Sequence, residues 1–254
     1  MKSVRKILLA VVITAAAGCS FAKPHPAANA DTSKIIDRHL SGFSSIKIAG
    51  PFDVRLTQGD NESVKFEAPG DIPEDQIITE VAGGVLKIHN EHKNWGLSDY
   101  SWYGDKSIWR NHKKIVVYIT ATDLDAITVS GSGDMIFDEG LKAGSLRLLV
   151  RGSGAIQGKI EVKSLEGHIS GSGEMKLSGS AGNSNVLVRG SGNFMARGLI
   201  CANAAVHVSG SGSAEVNASD KVDAAVRGSG VISYSAIAKI INSRKSGSGE
   251  IRSF

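Results

Sequence analysis

Cysteine is nearly missing from this sequence: the 254 residues include two, Cys19 and Cys201, and five prolines. A chain with so few cysteines can carry neither a disulfide framework nor a cysteine metal cluster. Aromatic residues are scarce at 6%, and all three tryptophans, Trp95, Trp102 and Trp109, fall within residues 92–114. Beyond an apolar run near the N-terminus there is no second long hydrophobic segment, so no transmembrane span is expected in the remainder. An excess of one charge is missing too. Of the 29 basic residues, Lys2, Arg5 and Lys6 lie in the first 18, which hold no acid; the rest carries 26 basic against 25 acidic residues, a net charge near +1. The basic balance therefore belongs to the N-terminus, which leaves no nucleic-acid footprint on the remainder. Strong helix periodicity is absent from residue 41 onward.

The N-terminus has the layout of a secretory signal. Lys2, Arg5 and Lys6 precede the uncharged run Ile7–Ala17, which is too short to span a bilayer comfortably. Ala16-Ala17-Gly18 followed by Cys19 resembles a bacterial lipobox, in which the cysteine is lipidated after cleavage, although Ala16 stands where leucine is usual. The expectation is a signal peptide over 1–18, a lipidated tether over 19–40 with Pro24 and Pro26, and a folded domain over 41–254. Ser20 after the cysteine is compatible with transport to the outer membrane, with the side it faces left open. The alternative is an ordinary signal cut after Ala28-Asn29-Ala30, far beyond the apolar run. With Cys19 lipidated, Cys201 in Leu199-Ile200-Cys201-Ala202 has no partner and is expected to behave as a small buried hydrophobe.

What the sequence has in abundance is a repeat. Gly-Ser-Gly begins at Gly131, Gly152, Gly171, Gly190, Gly210, Gly228 and Gly247, in steps of 21, 19, 19, 20, 18 and 19 residues. Two residues before each tripeptide stand Val129, Val150, Ile169, Val188, Val208, Val226 and Lys245. Two residues after stand Met135, Ile156, Met175, Phe194, Ala214, Ile232 and Ile251. This is the period-2 alternation of half-buried strands, interrupted by glycines where a bend or a close backbone approach is needed. A unit of this size cannot bury an apolar face alone. Stacked as coils of a parallel β-solenoid, spaced roughly 4.8 Å apart, the two apolar columns become continuous ladders in a shared core. The fold class expected is thus all-β: a solenoid of about seven coils preceded by additional strands. An antiparallel meander explains less well why the tripeptide returns at the same phase.

The residue just before each tripeptide alternates: Ser130, Arg151, Ser170, Arg189, Ser209, Arg227, Ser246. In a solenoid these form one exposed column, with serine keeping successive arginines roughly 10 Å apart. Arg151, Arg189 and Arg227 read either as solvated edge residues or as a basic stripe for anionic glycan or lipid headgroups. Lys245 and Arg244 read as a polar cap that protects the last coil's edge.

Upstream, Ile46–Ile48, Val54–Leu56, Val64–Phe66, Val85–Ile88 and Ile115–Thr120 alternate as strands, with turns at Gly59-Asp60-Asn61 and Gly83-Gly84. Ile46-Lys47-Ile48-Ala49-Gly50-Pro51-Phe52-Asp53-Val54, Gln58-Gly59-Asp60 and Gly84-Val85-Leu86-Lys87-Ile88, with the serial Gly-Ser-Gly units, resemble the auto-transporter adhesin head-domain family (head GIN domain) of bacterial envelope proteins. The resemblance covers roughly residues 43–235. It implies a β-helix-like fold and an adhesion role, and supplies no catalytic residues.

Trp95, Tyr100, Trp102, Tyr103 and Trp109 lie in the stretch that interrupts the repeats. They read as a cap or flanking loop, or as an aromatic platform for sugar rings. No constellation for chemistry stands out. Gly-Ser-Gly lacks the third glycine and the helix of a dinucleotide fingerprint, the residues after the tripeptides are too mixed for serial calcium sites, and the histidines are scattered. The acids Asp134, Asp138 and Glu139 are the one local cluster a pectin-lyase-like enzyme could use. The expectation is a non-catalytic envelope binding module, without cofactor or metal, that is held to the membrane by its lipid and contacts polysaccharide or another surface protein. The alternatives are a structural envelope protein that self-associates and, third, a carbohydrate-active enzyme.

Overall fold

The computed structural model describes residues 33–69, 76–90 and 115–254, and among them every regular element of any length is a strand. The repeat region is a parallel solenoid. β9 (Asp134–Gly152), β10 (Ala155–Gly171), β11 (Glu174–Gly190), β12 (Asn193–Gly210) and β13 (Ser213–Gly228) are long strands, each wrapping most of a coil and pairing in parallel with the next. The last coil is broken into β14 (Val231–Tyr234), β15 (Ile240–Ser246) and β16 (Glu250–Ser253), which continue the same parallel registers. The solenoid reading thus holds, with about seven turns.

Each coil carries two faces that meet at the tripeptide. The face leading into it places Val129, Val150, Ile169, Val188, Val208 and Val226 in one register column, each at most 3% exposed. The face leading out places Met135, Ile156, Met175, Phe194, Ala214 and Ile232 in a second buried column. Fully burying a side chain of this kind contributes roughly 1.5–3 kcal/mol, and both ladders belong to one continuous apolar core. On the far side, the inward phase switches at Lys163–Ser164, where two consecutive residues are exposed.

The tripeptide corner is held by backbone. Ser191 N–H donates to Gly171 O at 2.9 Å and Asn193 N–H to Gly173 O at 3.0 Å, and the same ladder recurs coil by coil. At Gly190 φ is +105°, and a Cβ there would lie 2.5 Å from Gly171 O. At Gly192 a Cβ would meet Ile169 Cγ2 at 2.5 Å and Gly173 O at 2.6 Å. The first position needs glycine for its backbone angle and for carbonyl clearance; the second needs it because the core leaves no room.

The N-terminal strands extend both faces. β2 (Ser45–Ala49) pairs in parallel with β8 (Ala126–Gly131) and β6 (Val85–Asn90), and β8 continues onto β9. β3 (Phe52–Gln58) pairs in parallel with β9 and with β7 (Ile115–Ala121). Antiparallel strands follow outward: β4 (Ser63–Pro69) on β7, and β5 (Ile77–Ala82) on β6 across Gly83-Gly84. β1 (Ser33–Asp37) pairs antiparallel with β4. It falls within the segment expected as tether, 19–40, and its Ile36 packs against the core. β5 likewise went unread in the sequence.

Lys245 stands in register with Val226 but is exposed, as is all of β15, including Ile240 and Ile241. The final coil therefore mixes the expected cations with exposed aliphatic side chains.

Candidate binding face

In a parallel stack, residues two apart in one strand share a face, and residues in register lie roughly 4.8 Å apart along the axis. The registers bring Ser130, Arg151, Ser170, Arg189, Ser209, Arg227 and Ser246 into a single column on the outside of the face leading into the tripeptide. Arg151, Arg189 and Arg227 are all exposed. From first to last they span four coil spacings, roughly 20 Å. Continuous backbone pairing beneath them fixes this spacing.

Their electrostatic situation differs from that of neighbouring cations. Arg147 Nε donates to Glu166 Oε2 at 2.7 Å, Lys142 pairs with Glu161 at 3.3 Å, and Lys239 with Asp220 at 2.7 Å. Among the described residues, no salt bridge or side-chain hydrogen bond engages Arg151, Arg189 or Arg227. The adjoining column on the same face runs Thr128, Leu149, His168, Leu187, His207, Ala225 and Arg244, so neither column contains an acid. Two acids of that face stand one column further in: Asp223 is occupied by Lys221 at 2.8 Å, and Glu166 by Arg147 and by His168 Nε2 at 3.0 Å. The Arg147 hydrogen bond holds its carboxyl below the usual glutamate range. On the other flank, the middle serines of the tripeptides, Ser153, Ser172, Ser191 and Ser211, are exposed and line up along the corner. Free guanidinium groups flanked by hydroxyls suit a ligand that presents carboxylates and hydroxyls.

The repeat pointed to the arginine column; the Leu149–His207 column beside it was not singled out. Its signal is the same alternation two residues upstream, partly hidden by Thr128 and Ala225. Trp95, Tyr100, Trp102, Tyr103 and Trp109, and the proposed lipid-bearing Cys19, lie outside the described residues.

A shallow groove of about 460 Å³ lies on the outside of the opposite face and is lined by Gln157, Lys176, Met195, Arg197 and Glu215. Its arginine is already engaged: Arg197 Nε lies 3.3 Å from Glu215 Oε2, and its guanidinium stacks 4.2 Å from the Phe254 ring centre. The acids offered for catalysis do not join the arginine column. Asp134 sits on the face leading out, in register with Asp53, and Glu139 is exposed on the far side. Among the described residues no three His, Cys, Asp or Glu side chains are grouped to hold a metal. Cys201 is buried as expected, and burial pushes its thiol up to about 11, an offset the neighbouring Ser184 hydroxyl reduces.

Comparison with known proteins agrees with the architecture. No curated protein matches the chain. A solved "putative adhesin" from Bacteroides fragilis NCTC 9343 is 23% identical with a TM-score of 0.75, covering 88% of this chain and 97% of its own. A "putative lipid binding protein" from Parabacteroides distasonis ATCC 8503 is 22% identical with a TM-score of 0.69, covering 89% and 98%. A second P. distasonis protein, a "putative adhesin", is 23% identical with a TM-score of 0.66, covering 88% and 96%. At these identities the likenesses show the fold. The family described as "Putative auto-transporter adhesin, head GIN domain" matches residues 42–238, most of the solenoid and the strands before it, and the chain belongs to that family.

Proposed function

We propose that the chain is a non-catalytic binding module of the cell envelope, held by a lipid on Cys19, that docks an anionic polysaccharide on the face carrying Arg151, Arg189 and Arg227. One observation carries the reading: three exposed arginines without ion-pair partners among the described residues stand in one register column, beside columns that contain no acid. An arginine kept without a partner is poised to pair with a carboxylate or sulfate that arrives with a ligand. The adhesin family and its adhesin-labelled structural neighbours support a surface-binding role.

The test is retention of labelled glycans by the full chain carrying Cys19→Ser. Acidic glycans are expected to be retained and released by salt, since exposed charge pairs are screened, while neutral glycans wash through. Equal loss of acidic and neutral glycans sinks the reading. The anchor is tested separately: fatty-acid label should enter the wild-type chain in a bacterial host and be missing from the Cys19→Ser chain.

A further inference from the structure

The outer surface of the arginine face repeats at twice the period of the fold. Coils that present Arg151 and Arg189 also present Leu149 and Leu187 in the next column, while the intervening coils present Ser170 with His168 and Ser209 with His207. The core beneath shows no such alternation: Val150, Ile169, Val188 and Val208 are interchangeable aliphatics. The two-coil period is therefore not a packing requirement. Charge repulsion alone does not account for it either. Spacing the arginines avoids like-charge neighbours, but it sets no rule for a leucine–histidine alternation in the adjoining column, and uncharged residues would avoid the repulsion equally well.

Resting on the binding reading above, we infer that the ligand is a linear polysaccharide in which an acidic sugar alternates with an uncharged one, laid along the solenoid axis with one disaccharide per two coils. Two coil spacings are roughly 10 Å, which matches the advance of two sugars in an extended chain. Each arginine takes the carboxylate of one acidic sugar in a bidentate pair. The leucine beside it covers the apolar face of that ring. On the intervening coil, the histidine and serine offer ring N–H and hydroxyl groups to the uncharged sugar. The exposed corner serines, Ser153, Ser172, Ser191 and Ser211, line the other edge. The pattern is complete from Leu149 to Ser209 and ends at Ala225, where Arg227 stands without a leucine.

The test uses the full chain with Cys19→Ser and three probes. Hyaluronan carries one acid per two sugars, polygalacturonate one per sugar, and phosphatidylglycerol vesicles present an anionic lipid surface. The informative variant exchanges neighbours, Arg189→Ser with Ser170→Arg, which preserves net charge and moves one guanidinium by one coil. Hyaluronan affinity is expected to fall about fivefold, the size of one exposed charged contact, with polygalacturonate affinity unchanged. Leu149→Ser with Leu187→Ser should weaken hyaluronan without altering the salt dependence, and circular dichroism melting should show both variants folded. If the exchange leaves hyaluronan binding unchanged while acidic glycans are still retained, the two-sugar repeat is overturned and the broader polyanion reading stands. Failure of every glycan overturns both, and binding of the vesicles in their place assigns the face to a lipid surface.

Discussion

The tripeptide corner and the far side of each coil are built from the same chain at the same spacing, yet they obey different rules. Along the corner, Gly131, Gly152, Gly171, Gly190, Gly210 and Gly228 stay in unbroken register although the coils between them differ in length. The register breaks fall on the far side, at Gly158/Ile160, Lys176/Ser178, Ala196/Ile200 and Cys201/Asn203. At the corner, backbone abuts backbone, so one conformation fits. On the far side the contacts differ from coil to coil: a Cβ at Gly179 would run into Ile160 O, whereas one at Gly158 would meet the Phe137 ring, and the backbone varies with them. Gly179 there has φ +103°, while Ile160 and Leu199, in register with it, do not share a positive φ.

The sharpest way to break this comparison is to add a methyl group on each side. Gly190→Ala is expected to cost at least about 3 kcal/mol, because it combines a strained φ with a carbonyl clash. A Cβ at Gly144, on the far side, meets nothing within 4 Å. Gly144→Ala should be neutral or stabilise by up to about 1 kcal/mol. Urea unfolding of both reads the difference, and equal midpoints would contradict it.

A smaller effect tests side-chain filling. A Cβ on Gly158 would run into the ring of Phe137, its register neighbour, which is fully buried. Gly158→Ala should cost about 1–3 kcal/mol by overpacking. Phe137→Leu alone should also destabilise, yet the double variant should recover part of the loss, giving a favourable coupling in a double-mutant cycle. Strict additivity would mean that the far side does not adapt. Cys201, also on the far side, should resist thiol reagents at pH 8 in the folded Cys19→Ser chain, since burial holds it neutral, and should react on unfolding.

The smallest effect concerns pH. Glu166 titrates below its ordinary value because of Arg147, then the charge of His168. Its contribution is present above the unfolded glutamate pKa and is lost as pH falls through the lowered folded value. Being well exposed, the pair is worth at most about 1 kcal/mol. Stability curves of wild type and Glu166→Gln should converge in acid below pH ~4 and separate slightly at neutral pH.

The corner was legible in the sequence for the reason it is rigid: a backbone contact that admits glycine alone writes the same letters in every coil. The Val129–Val226 and Met135–Ile232 ladders were legible by simple alternation, and so was the Arg151–Arg189–Arg227 column. Far-side packing was not, because Phe137 over Gly158 is a pairing between coils that no local pattern announces. β1 and β5 were missed because each is held by one antiparallel neighbour, so Ser33–Asp37 and Ile77–Ala82 carry no repeat. The Leu149–His207 alternation was present in the letters but becomes meaningful once the registers place it beside the arginines.

The measurement that bears most directly on the functional claim is a titration of hyaluronan into the Cys19→Ser chain with and without Arg151→Ser, Arg189→Ser and Arg227→Ser combined. These substitutions install the residue that the neighbouring coils already carry, so the melting temperature should hold. The account predicts that affinity falls about a hundredfold, three exposed charged contacts at about fivefold each, and loses most of its salt dependence. Unchanged affinity in the triple variant would contradict it and remove the arginine face as the site of contact.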